Sequence, residues 1–93
     1  MSRNIRKKSL INQVAQATNN TQEYTREVIE RFLAEMIGEL AKGNRLEFRG
    51  FGVFEVVMRK QKRARNPKTR QEVLVPPHKV VRFRMGKEMK NIL

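Results

Sequence analysis

Cysteine and aspartate are both absent from the 93 residues, and histidine occurs once. Without thiols the chain has no disulfide and no thiolate metal site to staple a small core. Without aspartate there is no Asp pair for nuclease chemistry, and His78 has no evident partner for general-base work. No apolar run approaches the length of a membrane span, and no hydrophobic signal region is present. These absences argue against an enzyme, a metal or other cofactor, a small-molecule substrate and a membrane protein, and they make a cytoplasmic protein the expectation. A chain of this length forms one small domain, residues 1–93, whose core lies near the lower limit of self-sufficiency. With covalent staples excluded, oligomerisation is the remaining way to bury more surface.

Acid is also scarce, with 9 Glu against 21 Lys and Arg and a formal charge of +12. The charge is uneven: +4 over residues 1–20, −2 over 21–43, neutral over 44–55, +6 over 56–78 and +4 over 79–93. Basic charge concentrated in segments reads as a polyanion binder. A membrane-surface partner would call for a basic amphipathic helix. The most basic segment here looks like strands and a turn, so nucleic acid is favoured.

That segment, residues 56–79, holds Arg59, Lys60, Lys62, Arg63, Arg65, Lys68, Arg70 and Lys79 against Glu72 alone, with no aromatic residue. It cannot bury a core, so it must project or stay disordered. Asn66-Pro67 is a turn-forming pair in its middle. Its flanks, 53–58 and 73–75, are rich in β-branched residues and can pair as strands. The segment is predicted to be a long β-hairpin arm with Pro67 at its tip. A floppy basic loop is the alternative, and the strand-like flanks weigh against it.

The remainder, residues 1–55 and 80–93, forms the body. A first helix is expected over 6–17, with Leu10, Ile11, Val14 and Ala15 on one face and Asn4 or Ser9 as N-cap. Cations in its first turn, Lys7 and Lys8, oppose the helix dipole unless a phosphate sits nearby. Thr21 is the expected N-cap of a second helix ending near Lys42, with Gly43 as its stop. Its apolar stripe (Val28, Ile29, Phe32, Leu33, Met36, Ile37, Leu40) is too wide for one short chain to cover, which predicts a homodimer with this helix in the interface. Its five Glu against Arg26, Arg31 and Lys42 argue against use as a DNA recognition helix.

Residues 45–49 alternate as a strand, with Leu46 and Phe48 inward, and Gly50-Phe51-Gly52 reads as a hairpin turn with a buried ring. Residues 53–58 start a second strand, and 80–84 form the return strand with Val81 and Phe83 on one face and Arg82 and Arg84 on the other. Gly86 opens a short last helix over 87–93. The phenylalanines Phe32, Phe48, Phe51, Phe54 and Phe83 all fall in the body, a core signal that leaves no aromatic platform for single strands. The fold class is α+β: two N-terminal helices, a three-stranded antiparallel sheet with the hairpin arm, and a short C-terminal helix.

Three stretches now carry a resemblance: Gly50-Phe51-Gly52-Val53-Phe54, then Arg65-Asn66-Pro67-Lys68-Thr69, then the run from Val80 to Lys87, Val-Val-Arg-Phe-Arg-Met-Gly-Lys. In this order and spacing the chain resembles the bacterial HU/IHF architectural DNA-binding proteins. The resemblance implies an intertwined dimer, of like subunits or with a paralogue, whose two arms embrace duplex DNA in the minor groove. It implies that Pro67 wedges between base pairs. Arg59, Lys60, Lys62, Arg63, Arg65, Asn66, Lys68 and Arg70 would line the arm's DNA contact. Lys7, Arg82, Arg84, Lys87 and Lys90 would meet phosphates of the bent flanks, a solvated basic face being the alternative for these five. An HU-like, nucleoid-associated role of low sequence specificity is the expectation, with IHF-like site-specific bending, or binding of RNA or structured nucleic acid, as alternatives. Two departures stand out. Arg70 occupies a position that is usually glycine in this family, and Pro77 follows Pro76 where the arm rejoins the body.

Overall fold

The computed structural model describes residues 2–60, 62–65 and 68–93, with the main chain alone at residues 62–65 and 73. It divides into two compact units, Met1–Gly38 and Glu39–Leu93.

The first unit contains helix α1 (Lys7–Thr18) and most of helix α2 (Gln22–Ala41). Ile11 and Ala15 on the apolar face of α1 are 3% and 2% exposed, and they are the only buried apolar residues among those described. The expected N-cap at Asn4 or Ser9 is incorrect. Arg6 takes that position in an extended conformation, with no side-chain cap. Its carbonyl accepts from the N–H groups of Ser9 and Leu10, at 3.1 and 3.3 Å, so Ser9 already lies inside the first turn. The cation this places at the positive end of the helix has a counter-charge: Lys7 Nζ lies 3.3 Å from Glu30 Oε1. The helix closes at Asn19, in the left-handed region at φ 58°.

Helix α2 starts as expected, with the Tyr24 N–H donating to Thr21 Oγ1 at 3.1 Å. It ends one residue earlier than the sequence suggests. The Asn44 N–H reaches the Glu39 carbonyl at 3.1 Å and the Gly43 N–H the Leu40 carbonyl at 2.9 Å, a Schellman-type closure with Gly43 past the end. The Glu39 carboxylate accepts from Lys42 Nζ at 3.1 Å and Asn44 Nδ2 at 3.0 Å. The hydrogen bond from Lys42, then that from Asn44, hold Glu39 below the usual carboxylate range. The apolar stripe of α2 stays open in the single chain: Val28, Phe32, Leu33 and Ile37 are exposed, Ile37 by 67%.

In the second unit, β1 (Leu46–Phe48), β2 (Gly52–Arg59) and β5 (His78–Met85) form an antiparallel sheet in the order β1-β2-β5. Strands β3 (Lys62–Arg65) and β4 (Glu72–Val75) pair as a separate antiparallel ladder, and α3 (Lys87–Ile92) follows β5. The turn into β2 is Phe48 to Phe51, closed by the Phe51 N–H on the Phe48 carbonyl at 2.9 Å. Gly50, its third residue, has φ +84°, as a type II turn requires. Gly52 belongs to the strand, where a Cβ would stand 2.5 Å from the Arg84 carbonyl oxygen and 2.6 Å from the Phe83 ring. In the single chain Phe51, whose ring is expected to be buried, is 46% exposed. Its ring meets those of Phe48, Phe54 and Phe83, at centroid distances of 6.3, 6.4 and 5.3 Å, and the rest of it is left open.

Candidate nucleic-acid interface

Cross-strand register sorts the sheet into two unlike faces. Side chains alternate along a strand, and residues directly opposite one another share a face. One face carries Leu46, Phe48, Phe54, Val56, Met58, Val81, Phe83 and Met85, since Leu46 pairs with Phe54, Phe54 with Phe83 and Val56 with Val81. Phe54 and Phe83 meet at a centroid distance of 4.8 Å, their rings tilted by 44°. The other face carries Glu47, Val53, Glu55, Val57 and Arg59 against Arg84, Arg82, Val80 and His78. The expected opposition of Val81 and Phe83 to Arg82 and Arg84 is therefore present.

Glu55 organises this polar face. Its Oε1 accepts from Arg82 Nη2 at 2.6 Å and Nε at 3.1 Å, and Arg84 Nε lies 3.2 Å from the same oxygen. The Glu55 side chain is 18% exposed, while the two arginines are 54% and 56% exposed. The hydrogen bond from Arg82, with the charges of Arg84, Arg82 and Arg45, outweighs the effect of burial and holds the carboxyl below its usual range. Sequence reading missed Glu55. It stands 27 residues from Arg82, and only a fixed β2–β5 register brings them together.

The arm is an extension of the same hairpin. Arg59 pairs with His78 at the end of one ladder and Lys62 with Val75 at the start of the next. The register is unchanged across the interruption, so no residue is inserted on either strand. Pro76 and Pro77 lie at the interruption, between β4 and β5. Neither has an N–H to donate, which accounts for the lost pairing. His78 is exposed beside them, its Nδ1 3.2 Å from the Pro76 carbonyl oxygen. The far ladder ends at Arg65 opposite Glu72. Arg70, in the connection beyond it, has φ 58°, and the Gln71 N–H donates to Thr69 Oγ1 at 3.4 Å. The position usually held by glycine thus keeps a left-handed backbone with an arginine side chain on it.

The expected contact residues sort accordingly. Arg59, Lys60, Lys68 and Arg70 are exposed along the arm and its base, and Lys87 and Lys90 are exposed on α3. Lys62, Arg63 and Arg65 lie on the β3 ladder, and their side chains lie outside the described residues, as do Asn66 and Pro67 entirely. In the first unit, Lys7 and Lys8 share a hollow of about 300 Å³ with Asn12, Arg26 and Glu30. Arg26 is a cation that sequence reading had set aside with its acidic helix. Among the described residues, no group of three or more His, Cys, Asp or Glu could hold a metal, and no helix is long and apolar enough to cross a membrane.

Residues 5–93 match the family model described as bacterial DNA-binding protein. The chain belongs to the HU/IHF family. A probable DNA-binding protein HU of Chlamydia pneumoniae is 43% identical over 88 residues, covering 94% of this chain and 88% of that one. DNA-binding protein HTa of Thermoplasma acidophilum is 36% identical over 81 residues, 87% of this chain and 90% of its own. Among solved structures, an HU–DNA cocrystal from Anabaena superposes with a TM-score of 0.90 at 30% identity, covering 95% of this chain and 96% of that chain. An HU mutant from Thermotoga maritima gives 0.70 at 26% identity, with 95% and 97% covered. Like the rest of the HU/IHF family, this is an architectural DNA-binding protein and not an enzyme. The family acts as dimers.

Proposed function

We propose that the protein binds duplex DNA mainly through the minor groove, bends it and helps to organise the nucleoid with low sequence specificity. The observation that carries this reading is the basic arm: a hairpin of unbroken register that extends the body sheet and is rich in cations in its sequence. Cations on such an arm neutralise phosphates and give affinity with little sequence information. In this reading residues 56–79 embrace the duplex and residues 1–55 and 80–93 form the body. Pro67 enters a base step, because it is apolar, rigid and has no N–H to desolvate. Unstacking costs on the order of a few kcal/mol per step, offset by the protein surface that a bent duplex reaches. Lys7, Arg82, Arg84, Lys87 and Lys90 then meet the flanks.

The working unit in this proposal is a homodimer. The open stripe on α2 and the apolar sheet face supply the surface that a second copy would cover. The experiment is end-to-end FRET of labelled duplexes of arbitrary, scrambled and nicked sequence during titration. Bending of all three is expected. Bending of one sequence alone would replace this reading with site-specific, IHF-like bending, and binding without bending would remove Pro67 from its wedge role.

A further inference from the structure

The polar sheet face contains a contradiction that the DNA-binding reading does not resolve. Arg82 and Arg84 are exposed cations two residues apart on β5, on the face shared with Arg59 and His78 at the base of the arm. Yet both guanidinium groups are turned onto one oxygen of one carboxylate, at 2.6 and 3.2 Å. Glu55 has no other task in view. It is the sole acid among the β2 and β5 residues, 8 in each strand, and it lies in the middle of the polar face instead of at its rim. A protein selected only for affinity to a polyanion would gain nothing from an acid there.

We propose that Glu55 is an internal substitute for a DNA phosphate, which holds Arg82 and Arg84 in place in the free protein and must be displaced when the duplex docks on this face. The inference rests on the DNA-binding reading above and deepens it. A planar guanidinium donates to a carboxylate oxygen and to a phosphate oxygen in the same manner. The carboxylate therefore keeps both arginines extended over the sheet and lowers the ordering cost on docking. It also takes back part of their affinity, since each contact to DNA must break a contact to Glu55. Two arginines that are already paired release fewer counterions than two free ones would. The consequence is weaker binding and a shallower dependence on salt for any duplex that docks on this face. A straight duplex held only by the arms would lose nothing to Glu55, and a bent one that reaches the face would lose most. Glu55 thus acts as a positioning residue that orders the two arginines and tempers the binding of DNA bent onto this face.

The test compares the full-length protein with Glu55→Gln, with Arg82→Gln/Arg84→Gln and with the triple variant, by fluorescence anisotropy on an intact and a nicked duplex from about 50 to 200 mM salt. Glu55→Gln is expected to bind the intact duplex on the order of 2- to 5-fold more tightly at the low-salt end, the range set by an exposed ion pair. Its plot of log K against log salt should steepen by up to about 0.9 for each phosphate newly neutralised. Its preference for the nicked duplex, which bends onto the face at least cost, should rise. Loss of a negative charge alone would raise affinity to the same degree with or without the arginines, so the triple variant decides. In the arginine-deficient background, removal of Glu55 should change neither slope nor preference. A Glu55→Asp variant, which retains the carboxylate, should keep the shallow slope and the preference for the nicked duplex and guards against a general loss of folding in Glu55→Gln. An unchanged slope and preference in Glu55→Gln, or equal changes in the two backgrounds, would overturn the role of Glu55 while leaving DNA binding intact. Failure of the unaltered protein to bind either duplex would instead overturn the DNA-binding reading on which it rests.

Discussion

Arg70 shows what a single residue can store. At φ 58° an L-residue pays roughly 1–2 kcal/mol that glycine does not. Arg70→Gly removes that cost but adds about 0.4–1 kcal/mol of unfolded-chain entropy. A net gain of about 0–1.6 kcal/mol is therefore expected, localised to the end of the arm. Slower amide exchange in β3 and β4 would report it, and faster exchange would mean that the arginine makes compensating contacts. Gly52 is the opposite case. A methyl group there collides with a carbonyl oxygen and an aromatic ring that are both held by the sheet. Gly52→Ala should cost about 1–3 kcal/mol in denaturant unfolding, as overpacking does. At the arm tip, Pro67→Ala should reduce FRET-measured bending more than affinity, because the wedge is lost while the cations remain. Equal bending by the variant would sink the wedge.

At the scale of elements, the arm is one hairpin divided by two prolines. Val substitutions at Pro76 and Pro77 would restore both N–H groups where the register is already correct, and one of the two, since adjacent N–H groups point to opposite edges of a strand, would donate across the hairpin. The two ladders should then merge, and hydrogen exchange at Lys60 and in residues 76–78 should slow. No change there would show that something other than the missing donors divides the hairpin. Two paired glutamates, one in α2 and one in the sheet, also give a pH dependence of known sign. Glu55 and Glu39 are both held below the usual carboxylate range, first by the hydrogen bonds from Arg82 and Lys42 respectively. A depressed folded-state pKa stabilises the fold above the unfolded value, and that contribution is lost as pH falls through the folded one. Acid titration of thermal stability should therefore show a decline below the ordinary carboxylate range. Glu55→Gln should flatten it, and a superimposable curve would mean that the pair contributes nothing to folding.

For the whole molecule the governing fact is the near-absence of buried apolar residues in one chain, Ile11 and Ala15 alone among those described. Phe32, at 53% exposed, and Ile37 are large apolar side chains that a free monomer would leave in water. Ile37→Glu should drive the dimer towards unfolded monomer, and sedimentation velocity would detect it. For the unaltered protein the melting temperature should rise with protein concentration, as it does when folding and assembly are one equilibrium. A concentration-independent melt would contradict an obligate dimer. If the dimer neutralises roughly six to ten phosphates, its affinity for DNA should fall by about 10³–10⁵ between about 50 and 200 mM salt.

The one-dimensional pattern of the chain determined most of its elements. The period of Leu10, Ile11, Val14 and Ala15 specified α1, Thr21 and Gly43 bracketed α2, and alternation around Phe54 and Phe83 specified the strands. Each of these signals lies within a few residues, where backbone sterics and local burial decide the outcome. The arm was legible for the same reason, since β-branched flanks and a basic, turn-bearing middle leave few other solutions. The start of α1 was not legible, because Arg6 carries no capping signal and the charge that tolerates Lys7 comes from Glu30 on another helix. The left-handed Arg70 was also beyond local reading. Glu55 is the clearest case. Its bond to Arg82 and Arg84 depends on which residue of β2 stands opposite which residue of β5, and a slip of one position would have turned it to the apolar face. That register is a property of the assembled sheet, set by the turn at Gly50 and the packing of Phe54 on Phe83, so only the tertiary structure could decide it.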